Sequence, residues 1–466
     1  MRHLVAAASL LALASLASAA PPPKLTPAQR DAAHAMFEHA INIPTVIGRG
    51  RVPEMANYLA GEYRAAGWPA EDVRVMPYDS TAALIVRWRA ERPTRKPIMV
   101  MGHMDVVEAK REDWTTDPFV LTERDGYYYG RGTTDMKDGI VGVTQALFRL
   151  RAEGFKPARD IIVFFTGDEE DVSRGAQLGA KEWKQYLDVE YGLNADAGGG
   201  GFTKDGKPLG FTIQSAEKTY QSYFLTVRNR GGHSSKPRPD NAIYQLAAAL
   251  GRLEAHRFEP MLNETTRAYF MERQKSEPGK LGDAMRAWLK NPGDGAAADS
   301  IEADEGEVGI TRTRCVATRL FAGHANNALP QLATANVNCR IMPGVDPNAV
   351  LDELRRVVAD TGVHVTRVEN ESGTPPSPLR ADVVGAYTRA VHALHPAAPV
   401  LPEMSTGATD GMYFRAVGTP IYGVNGSWVV IPEDIRAHGR DERLPVKALD
   451  DNVAHWVMML RELAGR

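Results

Sequence analysis

The 466-residue sequence contains only two cysteines, Cys315 and Cys339. So few cysteines exclude a scaffold held by several disulfides and a metal site built from thiolates. Any metal ion must therefore be held by histidine and carboxylate side chains. The two cysteines lie in strand-like segments on either side of the Asn326-Asn327 loop, so they are either bonded to each other or two buried thiols.

Long blocks of one charge sign are also missing. The 55 basic and 58 acidic residues are interspersed and give a formal net charge of -3, which disfavours a nucleic-acid partner. One apolar run, from Leu4 to Leu16, follows Met1-Arg2-His3, and neither it nor any later stretch reaches the roughly 18 residues of a membrane span. With Ala17-Ser18-Ala19 behind it, this run has the layout of a signal peptide cleaved after Ala19. We therefore expect a soluble protein that is periplasmic or secreted.

The length predicts more than one domain. About 440 residues remain after the expected signal peptide at residues 1–19, whereas a single core rarely exceeds roughly 250 to 300 residues. Short apolar runs that end in polar clusters alternate with segments of helical period, as in residues 97–101, the helical segment that follows, and residues 161–165. This alternation is typical of an α/β domain with buried strands. We expect its central sheet to be mostly parallel.

The pattern changes after Thr219, where alternating apolar residues predict a half-exposed strand. A helix is expected over residues 241–255, followed later by strand-like segments at residues 315–321 and 334–341. Residues 257–304 show no strand-like alternation and are rich in Glu, Lys, Gly, Ala and Met. We expect a helical or loose insertion there.

A mixed pattern resumes with a helix expected over residues 348–361 and ends with a last helix over residues 446–463. We therefore expect residues 25–218 and 346–466 to form one discontinuous α/β catalytic domain. Residues 219–345 would form an α+β lid or dimerisation domain inserted into it.

Polar clusters follow apolar strands or glycine-rich turns, the places where ligands collect in open α/β sheets. They are Gly102-His103-Met104-Asp105, the loop from Gly130 to Asp138, Gly167-Asp168-Glu169-Glu170, Asn194-Ala195-Asp196-Ala197-Gly198-Gly199 and, near the C-terminus, His438-Gly439-Arg440-Asp441-Glu442. His103 and Asp105 are two residues apart on a strand and so face the same side. Each cluster alone is typical of a solvated surface, but together they predict a divalent metal site with nitrogen and oxygen ligands.

In order and content these clusters resemble those of the M20 family of metallopeptidases, which includes carboxypeptidases, desuccinylases, aminoacylases and dipeptidases. The resemblance implies two divalent metal ions, for which zinc suits the ligands best and cobalt or manganese could substitute. It also implies five ligands: His103 and Asp196 on one ion, Glu170 and His438 on the other, and Asp135 bridging both. Asp105 would fix the tautomer and direction of His103.

The resemblance assigns the role of general base and acid to Glu169. Two ions that share a water lower its pKa and polarise the carbonyl of the substrate. Glu169 can then take the proton of the water and return it to the leaving amine. Since Glu169 and Glu170 are consecutive, they point in different directions and can divide proton transfer and metal binding between them.

Residues of the expected lid resemble substrate-binding positions of the family. Gly231-Gly232-His233-Ser234-Ser235 is similar to the segment whose histidine stabilises the oxyanion, although the same sequence would suit a turn with an exposed histidine. Asn327 and Arg340 resemble positions that bind a free carboxylate, which an arginine fork pairs with bidentately. Gly407 resembles part of the loop that lines this pocket, but the usual double glycine is missing. The resemblance therefore implies a carboxylate next to the cleaved amide.

We expect an exported hydrolase that acts on a small peptide or an N-acyl amino acid, as a carboxypeptidase, dipeptidase or N-acyl-amino-acid amidohydrolase. A two-metal aminopeptidase is the near alternative, which Asn327 and Arg340 disfavour. A non-catalytic solute-binding protein of the same fold would have no need of Glu169. Because relatives with a compact lid dimerise through it, we expect a homodimer, unless the insertion at residues 257–304 replaces that interface or caps the pocket.

Overall fold

A computed structural model describes residues 24–368 and 374–465 of the chain. The expected signal peptide, residues 1–19, lies outside the described residues. The described helices include none with the length and hydrophobicity that a membrane crossing requires.

Strands and helices alternate along most of the described chain. The strands are β1 (Val73–Tyr78), β2 (Thr81–Trp88), β3 (Ile98–His103), β4 (Thr122–Arg124), β5 (Tyr127–Tyr129), β6 (Ile161–Thr166), β7 (Tyr191–Phe202), β8 (Pro208–Glu217), β9 (Thr219–Arg228), β10 (Gly232–His233), β11 (Arg314–Ala322), β12 (Ala328–Leu329), β13 (Leu332–Ile341), β14 (Val363–Arg367), β15 (Val400–Ser405), β16 (Ile421–Val430) and β17 (Arg443–Pro445). The α-helices are α1 (Pro27–Ile41), α2 (Val52–Ala65), α3 (Lys137–Ala152), α4 (Arg174–Lys181), α5 (Lys184–Leu187), α6 (Ala242–Ala255), α7 (Glu264–Arg273), α8 (Gly279–Lys290), α9 (Gly295–Ile301), α10 (Pro347–Val358), α11 (Ala381–Leu394), α12 (Gly411–Ala416) and α13 (Val446–Ala464).

The central sheet has the strand order β1-β2-β6-β3-β7-β16-β8-β15. The neighbours β6-β3, β3-β7, β7-β16 and β8-β15 are parallel, whereas the neighbours β1-β2, β2-β6 and β16-β8 are antiparallel. Strand β3 is buried on both faces: Ile98 and Val100 belong to the core that contains α1, α2, α3, α11 and α13, and Met99 and Met101 to the core that contains α4, α5 and α12. Burial on both faces explains the continuous apolar runs. The mostly parallel α/β sheet expected from the sequence is confirmed.

A second, antiparallel sheet has the order β11-β13-β9-β14. Helices α6 and α10 cover one of its faces and form a core with it. Strand β14 pairs with β9, and Val350, Leu354 and Val358 of α10 are buried against this sheet. Helix α10, which was expected in the catalytic domain, thus packs its apolar face on the second sheet, and the chain returns to the central sheet only after β14.

The segment expected as an insertion, residues 257–304, contains α7, α8 and α9, which share a small core of their own. The Trp288 ring lies edge-on to Phe270 at 5.3 Å between centroids, and its Nε1 donates to the Pro292 carbonyl over 3.0 Å. Helix α7 also contacts β15, the edge strand of the central sheet. The insertion, which lies between α6 and β11 in the chain, therefore packs against the edge of the central sheet.

Cys315 and Cys339 are directly opposite each other in the antiparallel pair β11-β13 and form a disulfide. The alternative of two buried thiols is therefore not what the structure shows. In the same register Arg314 lies opposite Arg340. The bond thus fixes the edge strand β11 to β13 beside two arginines.

Candidate metal centre

The metal ligands expected from the sequence meet at one edge of the central sheet. His103 is the last residue of β3, Asp196 lies in β7, and Glu170 follows β6. These three strands are parallel neighbours, so their carboxyl ends lie side by side. Asp135 arrives on the glycine-rich loop before α3, and His438 on the connection between β16 and β17.

The ligand atoms form two groups that share Asp135. His103 Nε2 lies 3.2 Å from Asp135 Oδ1 and 3.4 Å from Asp196 Oδ1. His438 Nε2 lies 3.1 Å from Asp135 Oδ2 and 3.0 Å from Glu170 Oε2. Atoms of His103, Asp135 and Glu170 come within 4.8 Å of one another. Each oxygen of Asp135 thus faces a different histidine, which is the arrangement that a carboxylate bridging two ions requires.

The charge of this cluster also fits cations. Burial raises the pKa of Asp196 to about 6. Burial raises the pKa of Glu169 well above its usual value, and the charges of Asp196, Asp410 and Glu170 raise it further against the opposing effect of His103. Buried carboxylates this close together are costly without positive charge. Imidazole and carboxylate ligands suit zinc, cobalt or manganese, so the residues fit two divalent ions.

The carboxylates around the two histidines favour the protonated form of both imidazoles. Hydrogen bonds to Asp135 and Glu170 raise the pKa of His438 to about 10. Burial opposes a charged His103, but the charge of Asp196 and the hydrogen bonds to Asp105 and Asp135 raise its pKa well above the usual value. An incoming metal ion must therefore displace protons from both imidazoles.

Asp105 organises two parts of the site at once. Its backbone carbonyl lies 3.0 Å from His103 Nδ1, so Nδ1 carries the hydrogen and Nε2 faces the carboxylates of Asp135 and Asp196. Its side-chain oxygens accept hydrogen bonds from the backbone N–H groups of Glu169 at 3.2 Å and Glu170 at 3.0 Å. Asp105 therefore sets the direction of one ligand and the position of the two consecutive glutamates.

Glu442 is a site residue to which the sequence interpretation gave no role, although it was quoted in the fifth cluster. Its buried carboxylate accepts hydrogen bonds from the backbone N–H groups of Gly132 at 3.0 Å, Thr134 at 2.7 Å and Asp135 at 3.1 Å. It also pairs with Arg131 Nη1 at 2.7 Å. The loop that delivers Asp135 is thus held from the other end of the chain.

Asp168, a second carboxylate without an assigned role, supports the loop between β6 and α4. It accepts hydrogen bonds from the Tyr78 hydroxyl at 2.6 Å and from the backbone N–H groups of Arg174 at 2.6 Å and Gly175 at 3.0 Å. These bonds attach the chain around Glu169 to the start of α4. The position of Asp168 beside Glu169 in the sequence was the only signal for this role.

The expected substrate residues lie in two places. His233 of β10 pairs with Ala328 of β12, and the backbone N–H of Ser234 donates to the Asn327 carbonyl at 3.0 Å, so His233 and Asn327 are close neighbours. Arg340 and Gly407 lie elsewhere, in the wall of a cavity of about 1080 Å³. Within the described residues, no hydrogen bond or ion pair joins either pair to a metal ligand.

A smaller cavity, of about 580 Å³, adjoins the expected metal ligand Asp196. The four glycines of residues 198–201 line it, together with apolar side chains that include Leu209, Trp428 and Ile431. The segment 405–409 contributes Ser405 and Thr409 to this cavity and Thr406 and Gly407 to the larger one. This segment therefore separates the two cavities.

Comparisons with known proteins point to one family. The family model described as peptidase family M20/M25/M40 matches residues 99–462. The N-fatty-acyl-amino acid synthase/hydrolase PM20D1 of Homo sapiens is 31% identical over 78% of this chain and 73% of that protein. The probable carboxypeptidase S-like 2 of Dictyostelium discoideum is 29% identical over 78% of this chain and 71% of that protein. The M20 family metallo-carboxypeptidase Sso-CP2 from Sulfolobus solfataricus superposes with a TM-score of 0.70 at 17% identity, covering 93% of this chain and 99% of that one.

We predict that Glu442→Gln weakens metal binding roughly 10- to 100-fold, the usual cost of losing a group that orients a ligand. An amide in place of this carboxylate turns an NH₂ group toward some of the N–H donors of the loop. The measurement is a competition titration with a metal indicator. Glu108→Gln, which removes an exposed carboxylate paired with Arg49, is the control. Unchanged affinity in Glu442→Gln would show that the loop needs no such support.

We also predict that metal binding at pH 7 releases about two protons from the histidines. The pKa of His438 is raised to about 10 and that of His103 is raised well above its usual value, so both imidazoles favour the protonated form in the metal-free protein at neutral pH. Apparent metal affinity should therefore rise with pH through neutrality. Calorimetry in buffers of different ionisation enthalpy counts the protons. His438→Gln should release one fewer than the surface control His39→Gln, and equal release by the two variants would contradict the assignment.

Proposed function

The chain belongs to peptidase family M20/M25/M40, and from this premise we propose that it hydrolyses an amide bond next to a free carboxylate. The substrate would be an N-acyl amino acid, a dipeptide or the C-terminus of a peptide. The observation that carries the proposal is the pair of ligand groups that share Asp135, with Glu169 beside them. We propose zinc as the ion at both positions.

Glu169 is the residue that moves the proton. Two divalent ions bound at this centre would activate a water and polarise the scissile carbonyl. The Glu170 carboxylate faces His438, whereas the Glu169 carboxylate makes no hydrogen bond or ion pair among the residues that the structure describes. Burial raises the pKa of Glu169, which makes its carboxylate a better proton acceptor. Glu169 would take a proton from the water and deliver it to the leaving nitrogen.

The two cavities suggest how the substrate lies. An amide placed across the segment 405–409 would have its acyl side in the cavity beside Asp196 and its amino-acid side in the cavity of Arg340. The Arg340 guanidinium lies 4.9 Å from the centroid of the Tyr220 ring and has no carboxylate partner within the described residues. It is therefore held in place and available to a carboxylate of the substrate.

Apolar side chains near Asp196 favour an N-acyl amino acid among the three substrate classes. Leu209 and Ile431 are partly exposed although both are large and apolar, and an acyl chain would cover them. The name of the relative PM20D1, N-fatty-acyl-amino acid synthase/hydrolase, is consistent with this choice. An aminopeptidase would not use Arg340, and a non-catalytic binding protein would not need Glu169.

We also propose that the protein is exported to the periplasm or secreted. The layout of residues 1–19 supports export, and the bond between Cys315 and Cys339 suits an oxidising compartment. A homodimer through the second sheet and its helices stays a proposal as well. Size measurement of the purified protein in solution would test it.

We predict that Glu169→Gln removes turnover, by roughly 10²- to 10⁴-fold, while the metal content stays that of the unaltered protein. An amide cannot accept the proton of the water, yet it keeps the size of the side chain. Metal analysis and a steady-state assay on the same preparation are the measurements. The matched control is Glu182→Gln, an exposed glutamate at the end of α4. Retained activity in Glu169→Gln would exclude the proposed base.

We predict that metal-loaded protein cleaves N-acyl amino acids and dipeptides with a free carboxyl end. Amidation of this end should reduce kcat/KM at least about 10-fold, because an amide leaves Arg340 unpaired. Both forms are compared in one panel of matched substrates. Arg340→Met should reduce cleavage of the free acids and reduce their advantage over the amides. Equal cleavage of both forms by the unaltered protein would argue for an enzyme that does not read the carboxyl end.

A further inference from the structure

The cavity that holds Arg340 is rich in cations. Lys218 and Arg314 line it together with Arg340, and its lining also contains His256 and Arg257. Glu254 is the acidic side chain among the described lining residues. An excess of positive charge around a cavity attracts anionic ligands.

Ion pairs within the protein neutralise only part of this charge. Arg314 Nη1 lies 3.0 Å from Glu302 Oε2, and the neighbouring Arg312 pairs with Asp299 at 2.9 Å. Lys218 donates to the backbone carbonyl of Arg312 and, like Arg340, has no carboxylate within ion-pair distance among the residues that the structure describes. Arg257 donates only to backbone carbonyls and is exposed to solvent. Among the cavity's cations that are not exposed, Lys218 and Arg340 are therefore left without an anionic partner.

Lys218 is an unusual residue to leave in this state, because its side chain is almost fully buried. Burial lowers the pKa of Lys218 to about 7; Glu302 raises this pKa in part, whereas Arg314 and Arg340 lower it further. A buried ammonium without a counter-ion is costly. An anion that entered the cavity would remove this cost.

The ammonium group also lies close to other residues of the cavity wall. Around Gly309, which has φ +83°, a Cβ atom would lie 3.5 Å from Lys218 Nζ, 3.8 Å from Thr406 Cγ2 and 3.9 Å from Arg314 Cγ. Three side chains thus converge on one point next to Gly407, in the segment that separates the two cavities. A group of the substrate bound to Arg340 has the buried Lys218 among its neighbours in the same cavity.

We propose that Lys218 binds a second carboxylate of the substrate, so that the enzyme prefers an amide whose amino-acid part is aspartate or glutamate. This inference rests on the proposed function, in which Arg340 binds the α-carboxylate. The side-chain carboxylate then pairs with Lys218, so that the buried Lys218 and the half-buried Arg340 match the two charges of an acidic amino acid. A neutral side chain at the same place would leave Lys218 without a counter-ion.

The test compares two substrates that differ by one charge and hardly in shape, N-acetyl-glutamate and N-acetyl-glutamine. In the unaltered, metal-loaded enzyme we expect kcat/KM for the glutamate compound to be roughly 10- to 100-fold higher. In Lys218→Met this ratio should fall toward one, and in Lys218→Arg, which keeps the charge, much of it should remain. Lys207→Met, at an exposed position before β8, should leave the ratio unchanged.

A binding measurement covers the case in which Lys218→Met reduces turnover of both compounds. The product L-glutamate should raise the melting temperature of the unaltered protein more than L-glutamine does, and Lys218→Met should lose this difference. Equal preference for the two compounds in the unaltered enzyme, or an undiminished ratio in Lys218→Met, would overturn the inference and leave the proposed function intact. Failure to cleave any substrate with a free carboxyl end would instead refute the proposed function.

Discussion

The carboxylate of Asp135 is the group on which the rest of the site depends. Its two oxygens face two different histidines, which arrive from β3 and from the connection before β17. A side chain can act as such a bridge only if its backbone is fixed, and the loop before α3 is rich in glycine and therefore flexible by itself. The fixed position comes from Glu442, whose buried carboxylate binds the backbone N–H groups of that loop. The Glu442 carboxylate thus joins the loop before α3 to the C-terminal part of the chain.

Electrostatics explains why such a site is built at the edge of a parallel sheet. Asp196, Glu169 and Asp135 are brought together with little water around them, and the pKa of the first two is raised by burial. Nothing in packing alone favours this concentration of acids, since each desolvated carboxylate costs stability. The fold supplies stability elsewhere, from strands such as β3 and β6 that are buried on both faces. The metal ions would then supply the compensating charge and, with it, the chemistry.

Sequence patterns predicted the parts of the structure that depend on local order. Polar residues directly after apolar runs revealed His103 and Glu170, because the ends of parallel strands converge. Patterns could not assign α10, since an amphipathic helix shows that one face is covered but not which sheet covers it. They also could not give Glu442 its role, because its partners are backbone groups about three hundred residues away in sequence. Nor could they single out Lys218, because its burial without a carboxylate partner becomes visible only in the folded chain.

The segment 405–409 lies between the cavity beside Asp196 and the cavity of Arg340. Glu217 accepts hydrogen bonds from the Thr409 backbone N–H at 2.9 Å and from its hydroxyl at 3.1 Å, and forms a buried ion pair with Arg415. These contacts attach the segment to the central sheet rather than to the second sheet. The wall between the two cavities is thus fixed relative to the metal centre, while Arg340 is carried by the second sheet. If Arg340 binds the substrate as proposed, changes in that sheet would alter which substrate is accepted without moving Asp135 or Glu169.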